Sequence, residues 1–254
     1  MTGIVSAEWL KLRSVRSSYY AAAVLLVAVP VAAVLTWQGV RGWEHLSHAQ
    51  RAHFQSPPME QVFLPLVQMC LAVLGALVVT SEYATHTIYP TLVAVPRRLR
   101  VLAAKTAIVA ATSIVAGMAT ELAIYFVNRA IVAGRPLPGN TGPLSAELPT
   151  LIGLGLSVTI TAIMALGLGT AIRSTAATLL TVSALIWVLP IIAHYLPASW
   201  ARSASAATLT ELPKELGRTI AHPVLSAPWA AVIMAAYALV ALAIGATSLL
   251  RRDA

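Results

Sequence analysis

The chain has 254 residues, 58% of them hydrophobic and only 10% charged. A water-soluble domain carries about 25% charged residues, so this composition excludes an ordinary soluble enzyme and points to a bilayer as solvent. The net charge of +8 is the balance expected where Lys and Arg gather on one side of a membrane, and it does not argue for nucleic acid as a partner. One cysteine, Cys70, excludes an intrachain disulfide framework and a cysteine-rich zinc site.

The first element is GIVSAEWLKLRSVRSSYY. As a helix over residues 1–18 it places Ile4, Val5, Trp9, Leu12 and Val15 on one broad face. Lys11 lies off that face, and Glu8 and Arg16 intrude on it. The pattern predicts an interfacial helix, with Trp9, Lys11, Leu12 and Arg13 as its candidate contact residues. Six apolar runs follow, each close to the ~20 residues that a bilayer-spanning helix needs. They cover approximately 19–37, 62–80, 106–127, 149–172, 176–196 and 228–250. No A-x-A-like site follows the first run, which reads as an uncleaved span. Pro30 and Pro190 are expected to kink their helices. The whole of 1–254 reads as a single all-α, polytopic transmembrane domain.

Lys11, Arg13, Arg16, Arg97, Arg98, Arg100, Lys105, Arg173, Arg251 and Arg252 fall in one set of short connections. Their density places both termini in the cytoplasm. On the other side, the 38–61 loop carries His45, His48 and His53. They lack an obvious carboxylate or thiol to complete a metal site, so no metal is expected there. In the third outer loop, 205–218 is expected to form a short interfacial helix limited by Pro213. The fourth span is rich in small residues. Ala165 and Gly169 form a small-xxx-small pair, suited either to packing within the chain or to a dimer seam.

Between the second and third spans lies SEYATHTIYPTLVAVPRRLRVLAAK, residues 81–105. Thr87 can cap a helix that tolerates Pro90 in its first turn. Ile88, Leu92 and Val95 then share one face, and Pro96 ends the element. Glu82 stands at its entry, Arg97, Arg98 and Arg100 at its exit, and Lys105 is placed to snorkel at the mouth of the third span.

In this order these features resemble the permease subunits of ATP-binding-cassette (ABC) exporters of the ABC-2 type: a leading SAEWLKLRS, six spans, an intervening short helix and a terminal RRD. The family's acid, Gly-Thr, leucine-rich turn and Pro-Arg ending correspond to Glu82, His86-Thr87, Thr91-Leu92 and Pro96-Arg97-Arg98, with His86 where Gly is expected. The resemblance implies that 81–105 is a coupling loop. Glu82, Thr87, Ile88, Leu92, Val95, Arg97 and Arg98 would meet a separate cytoplasmic ATPase by helix-in-groove docking, with Glu82 reaching a basic or polar rim residue. It also implies a plasma-membrane exporter, bacterial in source, with a second permease chain as homodimer or paired subunit. ATP and Mg would be bound by the partner, because the sequence has no G-x-x-x-x-G-K-[ST].

Glu121 is the one acid inside a predicted span, and Tyr125 and Asn128 extend a polar stripe from it. These three are the candidate translocation-path residues. Glu121 could instead pair with Arg129 or hydrogen-bond between helices. A secondary transporter or channel built on Glu121 is the alternative function. An intramembrane enzyme using Ser157 and His194 is the weakest reading, since neither H-E-x-x-H nor G-x-S-x-G occurs.

Overall fold

A computed structural model describes residues 2–14, 16–51, 53–54, 56–85, 87, 98–135, 137, 143–218 and 223–251, the side chains of 2–5 and 14 excepted. The described residues form helices and no strand. They are α1 (Thr2–Ser14), α2 (Arg16–Glu44), α3 (Met59–Ala84), α4 (Arg98–Val132), α5 (Leu144–Ile172), α6 (Thr175–His194), α7 (Ala198–Ala206), α8 (Leu212–Gly217) and α9 (Ala227–Arg251), with a single turn at His48–Arg51. Six of these, α2 to α6 and α9, are long and apolar enough to cross a membrane. They contain five of the six predicted runs whole, and the run 176–196 as far as His194. In hydrocarbon each backbone N–H and C=O must find its partner inside its own segment, which is why every such run is helical.

Most of the helices overrun the predicted spans, α4 by the most. α4 has 35 residues, or ~52 Å at 1.5 Å per residue, against a hydrocarbon core of ~30 Å. Its ends therefore project into the polar zones, where Arg98, Arg100 and Arg129 lie. Pro190 leaves a local signature in α6. A π-turn over Ala184–Val188 precedes it, with Leu189 N–H donating to Ala184 O five residues back. The widened turn makes room where the proline ring would otherwise strike the carbonyl one turn earlier.

α5 is the central helix. Of its most apolar window 72% is buried, against 22% for α2 and for α6. It packs on α3, α4, α8 and α9. Leu64, Val67 and Leu71 of α3, Val109 of α4 and Leu154, Val158 and Ala162 of α5 form the main core cluster. Ala165 is fully buried, and a side chain at Gly169 would meet Val79 and Thr80. The small-xxx-small pair thus serves packing within the chain, and the dimer-seam reading of Ala165 and Gly169 does not hold.

The connection between the fifth and sixth spans departs from expectation. It holds two short helices, and α8 does not lie at an interface. Leu209, Leu212 and Glu215 are at most 1% exposed, and α8 packs on α5 and α9. Pro213 occupies the first turn of α8, where its missing N–H costs nothing, so it starts this helix. Both carboxylate oxygens of Glu215 accept from Val224 N–H (3.3 and 3.1 Å), and one accepts from Leu225 N–H (3.1 Å). This ties the tucked segment to the start of α9.

A buried polar knot anchors the same segment from the other side. Ser157 Oγ donates to Leu209 O (2.7 Å), while Gln68 Nε2 donates to Ser157 Oγ (2.8 Å) and to Leu209 O (3.3 Å). Ser157 is therefore a packing residue, and His194 is exposed near the far end of α6. Ser157→Ala should cost ~1 kcal/mol, the usual worth of one interhelical hydrogen bond, and leave transport intact. Thermal unfolding in detergent beside a vesicle transport assay checks it; loss of transport with unchanged stability would restore a chemical role.

Candidate functional site

The end of the bundle that carries the N-terminus collects α1, the end of α3 and the start of α4. Four charged side chains from these three elements meet there. Lys105 Nζ donates to Glu8 Oε2 (2.7 Å), Glu82 Oε1 (2.8 Å) and Val78 O (3.2 Å). Lys11 Nζ donates to Glu82 Oε1 (2.7 Å) and Glu8 Oε1 (3.1 Å). Two ammonium groups balance two carboxylates. Three of the four are buried: Lys105 is 2% exposed, Glu8 5% and Glu82 6%, while about half of the Lys11 side chain reaches the surface.

Two expectations change here. Lys105 does not snorkel; it is the largest fully buried side chain among the described residues. Glu82 does not reach outward; it is held inside the chain by Lys105 and Lys11. The reason is the placement of α1, which lies across α4 and brings Glu8 over Lys105. The docked face of α1 is therefore that of Glu8 and Leu12, one turn apart, whereas Trp9 and Leu10 are 44% and 65% exposed on the outside. Of the interfacial candidates, Trp9 and Arg13 are exposed on the outside of the bundle. The signal was present in the sequence. A carboxylate on the apolar side of one helix and a lysine embedded in an apolar run ask for each other, because neither is tolerated alone in an apolar site.

Burial lowers the Lys11 pKa, but the hydrogen bond and charge of Glu82, then those of Glu8, more than offset it, and the net shift is upward from 10.5. A folded-state pKa raised above the unfolded value stabilises fully below the unfolded pKa and is lost as pH rises through the folded one. The contribution of Lys11 to holding α1 should persist at neutral pH and fall away only above pH 10.5. Limited trypsinolysis within α1 as a function of pH measures this; release near pH 8 would contradict it.

Around the cluster, Arg98 Nη1 donates to Leu249 O at the end of α9 (2.9 Å), where a helix leaves its last carbonyls without partners. Arg173 stands over the Tyr83 ring, 4.9 Å from its centroid. Thr87 Oγ1 lies 2.9 Å from Thr85 Oγ1 in the turn after α3. The helix that Thr87 was expected to cap, with Ile88, Leu92, Val95 and Arg97, lies outside the described residues.

The translocation-path candidates share one buried face of α4: Glu121 is 0% exposed, Tyr125 and Asn128 5% each. Thr36 Oγ1 donates to Asn128 Oδ1 (3.0 Å), joining α2 to α4. Arg129 Nη1 donates to the Tyr125 hydroxyl (3.0 Å), and Arg129 forms no ion pair with Glu121. Neither Glu121 oxygen has a hydrogen-bond partner among the described residues, and buried Glu60 of α3 is its acidic neighbour. Glu60 went unnoticed in the sequence because it stands at the edge of an apolar run rather than inside it.

A bundle of six bilayer-length helices, one of them central, gathered at one end by buried ion pairs, defines a polytopic membrane protein. A profile of the family described as ABC-2 family transporter protein matches residues 4–188, so the chain belongs to that family of ABC-transporter membrane components. The match includes α1, all four members of the charge cluster and the first four spans. No curated protein matches the chain significantly.

Proposed function

We propose that this chain is the permease subunit of an ATP-driven exporter in a plasma membrane, with both termini cytoplasmic. A separate ATPase subunit binds ATP and Mg, and a second permease chain completes the translocation path. The observation that carries the reading is the charge cluster, set within a member of the ABC-2 family. It joins α1 to the last turn of α3, from which 86–97 departs, and to α4, into which that segment returns. A push from a closing ATPase on either surface would be delivered to α1, α3 and α4 together. Export, rather than uptake, follows from the resemblance to exporter permeases.

The test is a pull-down of the detergent-solubilised protein from its native membrane, followed by mass spectrometry. A co-purifying P-loop ATPase, lost on Leu92→Asp, is the expected result. A chain that purifies with no ATPase while other membrane complexes stay intact would overturn the reading. One observation favours a second function: Glu121 is buried with both oxygens unpaired, as a proton- or cation-linked secondary transporter would need. Transport that survives removal of ATP but not collapse of the proton gradient would select it, and Glu121→Gln would then abolish transport.

A further inference from the structure

Two contacts near α1 set a common level for three helices. Lys105 of α4 meets Glu82 of α3 at 2.8 Å, and Arg173, just past the end of α5, stands over the Tyr83 ring of α3. At about 1.5 Å per residue from that level, Glu121 lies ~24 Å up α4, Glu60 ~33 Å up α3 and Glu147 ~39 Å up α5. The three carboxyls form steps from the interior toward the end of the bundle opposite α1. Burial follows the same order: Glu121 is 0% exposed, Glu60 4%, and Glu147 is partly exposed. Glu147 is the acidic neighbour of Glu60, and Glu60 that of Glu121.

The two buried steps lack what Glu8 and Glu82 have. Those two are buried as well, but each receives a lysine ammonium at 2.7 Å. Both oxygens of Glu121 and Oε2 of Glu60 have no hydrogen-bond partner. The charged groups on the surrounding elements are placed elsewhere. Arg129 of α4 donates to the Tyr125 hydroxyl, Arg41 of α2 stacks on Trp37, Glu44 of α2 pairs with Arg135, and Lys214 of α8 pairs with Glu211. Arg218, after α8, is exposed and enters no described ion pair, and Arg251 of α9 lies at the α1 end. A bare carboxylate is not tolerated in an apolar interior, and an acidic neighbour adds repulsion. Each buried step therefore holds a positive charge. Among the described residues no three His, Cys, Asp or Glu side chains could hold a metal ion, whereas a proton needs no such shell.

We infer that Glu147, Glu60 and Glu121 form a proton relay that opens at the end of the bundle opposite α1 and ends blind at Glu121. Glu147 takes a proton from water, Glu60 passes it inward and Glu121 stores it. Tyr125 stands between the last two in height, ~30 Å up α4, and its hydroxyl accepts from Arg129 and keeps its own proton to donate. The relay deepens the Glu121 reading above by giving that site an entrance, and it stands whether ATP or a gradient drives transport.

The full chain in lipid vesicles tests it, with antibody access to an N-terminal tag reporting which side faces out. Dicyclohexylcarbodiimide reacts with carboxyls that carry a proton, and peptide mass spectrometry locates the product. Glu121 and Glu60 should be labelled, and the buried but paired Glu8 and Glu82 should not. Raising the pH on the side opposite the N-terminus should lower the Glu121 label; raising it on the N-terminal side should not. Glu60→Gln should slow that response by about tenfold. Glu147→Gln should slow it too, and carries the test alone if Glu60→Gln lowers the melting temperature. Infrared spectra need no reagent to reach the site, and should show an un-ionised carboxyl band that Glu121→Gln removes. Absence of both label and band at Glu121, equal labelling of Glu8 and Glu82, or a response to pH on the N-terminal side would each overturn the inference. So would an unslowed response in Glu147→Gln, or protection of Glu121 by sodium ions at constant pH.

Discussion

Lys105→Met will detach α1 and destabilise the protein by ~3–5 kcal/mol, the cost of removing one partner from a buried ion pair. Lys105 is 2% exposed and is the only cation of the cluster that is sealed from the surface. Without it, Glu8 and Glu82 face each other with one half-exposed Lys11 between them. The fold can relieve this by letting α1 swing away, so trypsin should cut after Lys11 or Arg13 at sites protected in the parent chain. The methionine conserves the length and apolar stem of lysine, so the effect is one of charge rather than of a cavity. Adding Glu8→Gln and Glu82→Gln leaves no buried anion in the cluster and should recover most of the melting temperature. If the proposed coupling is right, that triple variant stays uncoupled in ATP-driven transport despite its stability. An unchanged melting temperature and unchanged protection in Lys105→Met would refute the structural role of the cluster.

Gly75→Val will be the most damaging substitution in the membrane core. A Cβ at Gly75 of α3 would run into the carbonyl of Ala162 in α5, and a Cβ at Gly167 of α5 would stand 2.5 Å from the carbonyl carbon and oxygen of Ala241 in α9. Both obstacles are backbone, which no rotamer change can clear. Helices in lipid have no hydrophobic effect to press them together and depend on close backbone approach. Overpacking of this kind costs on the order of 3 kcal/mol or more, because α3, α5 and α9 would have to separate. Gly167→Val should behave in the same way. Gly39→Ala is the control: it lies in α2 with nothing within 4 Å, and should be neutral or stabilising by about 0.5 kcal/mol. Size-exclusion chromatography after a heating series separates the outcomes, and a Gly75→Val chain that elutes and melts like the parent would count against the close α3–α5 contact.

Much of this protein was legible before any coordinates. An apolar run in lipid has one way to satisfy its backbone, so α2 to α6 and α9 followed from run length alone, within eight residues at each end. Pro190 announced a distortion, and the π-turn before it is the form it took. Small residues in the fourth span announced close packing, and α5 proved to be the central helix. Periodicity was less informative for α1, because the criterion sorts side chains by polarity, whereas docking sorted them by partner. Glu8 looked like a flaw on an apolar face and is the residue that docks. Leu209 and Leu212 fall in the 205–218 segment expected at the interface, yet Ser157, Gln68 and α5 hold them inside.

The sequence by itself determined the solvent, the number of spans and the family, because these depend on composition, run length and local order along one chain. Tertiary structure alone decided which charges meet. Glu8, Glu82 and Lys105 are separated by tens of residues, and no local pattern links them. Only the crossing of α1 over α4, beside the last turn of α3, makes a buried lysine and two buried glutamates affordable together.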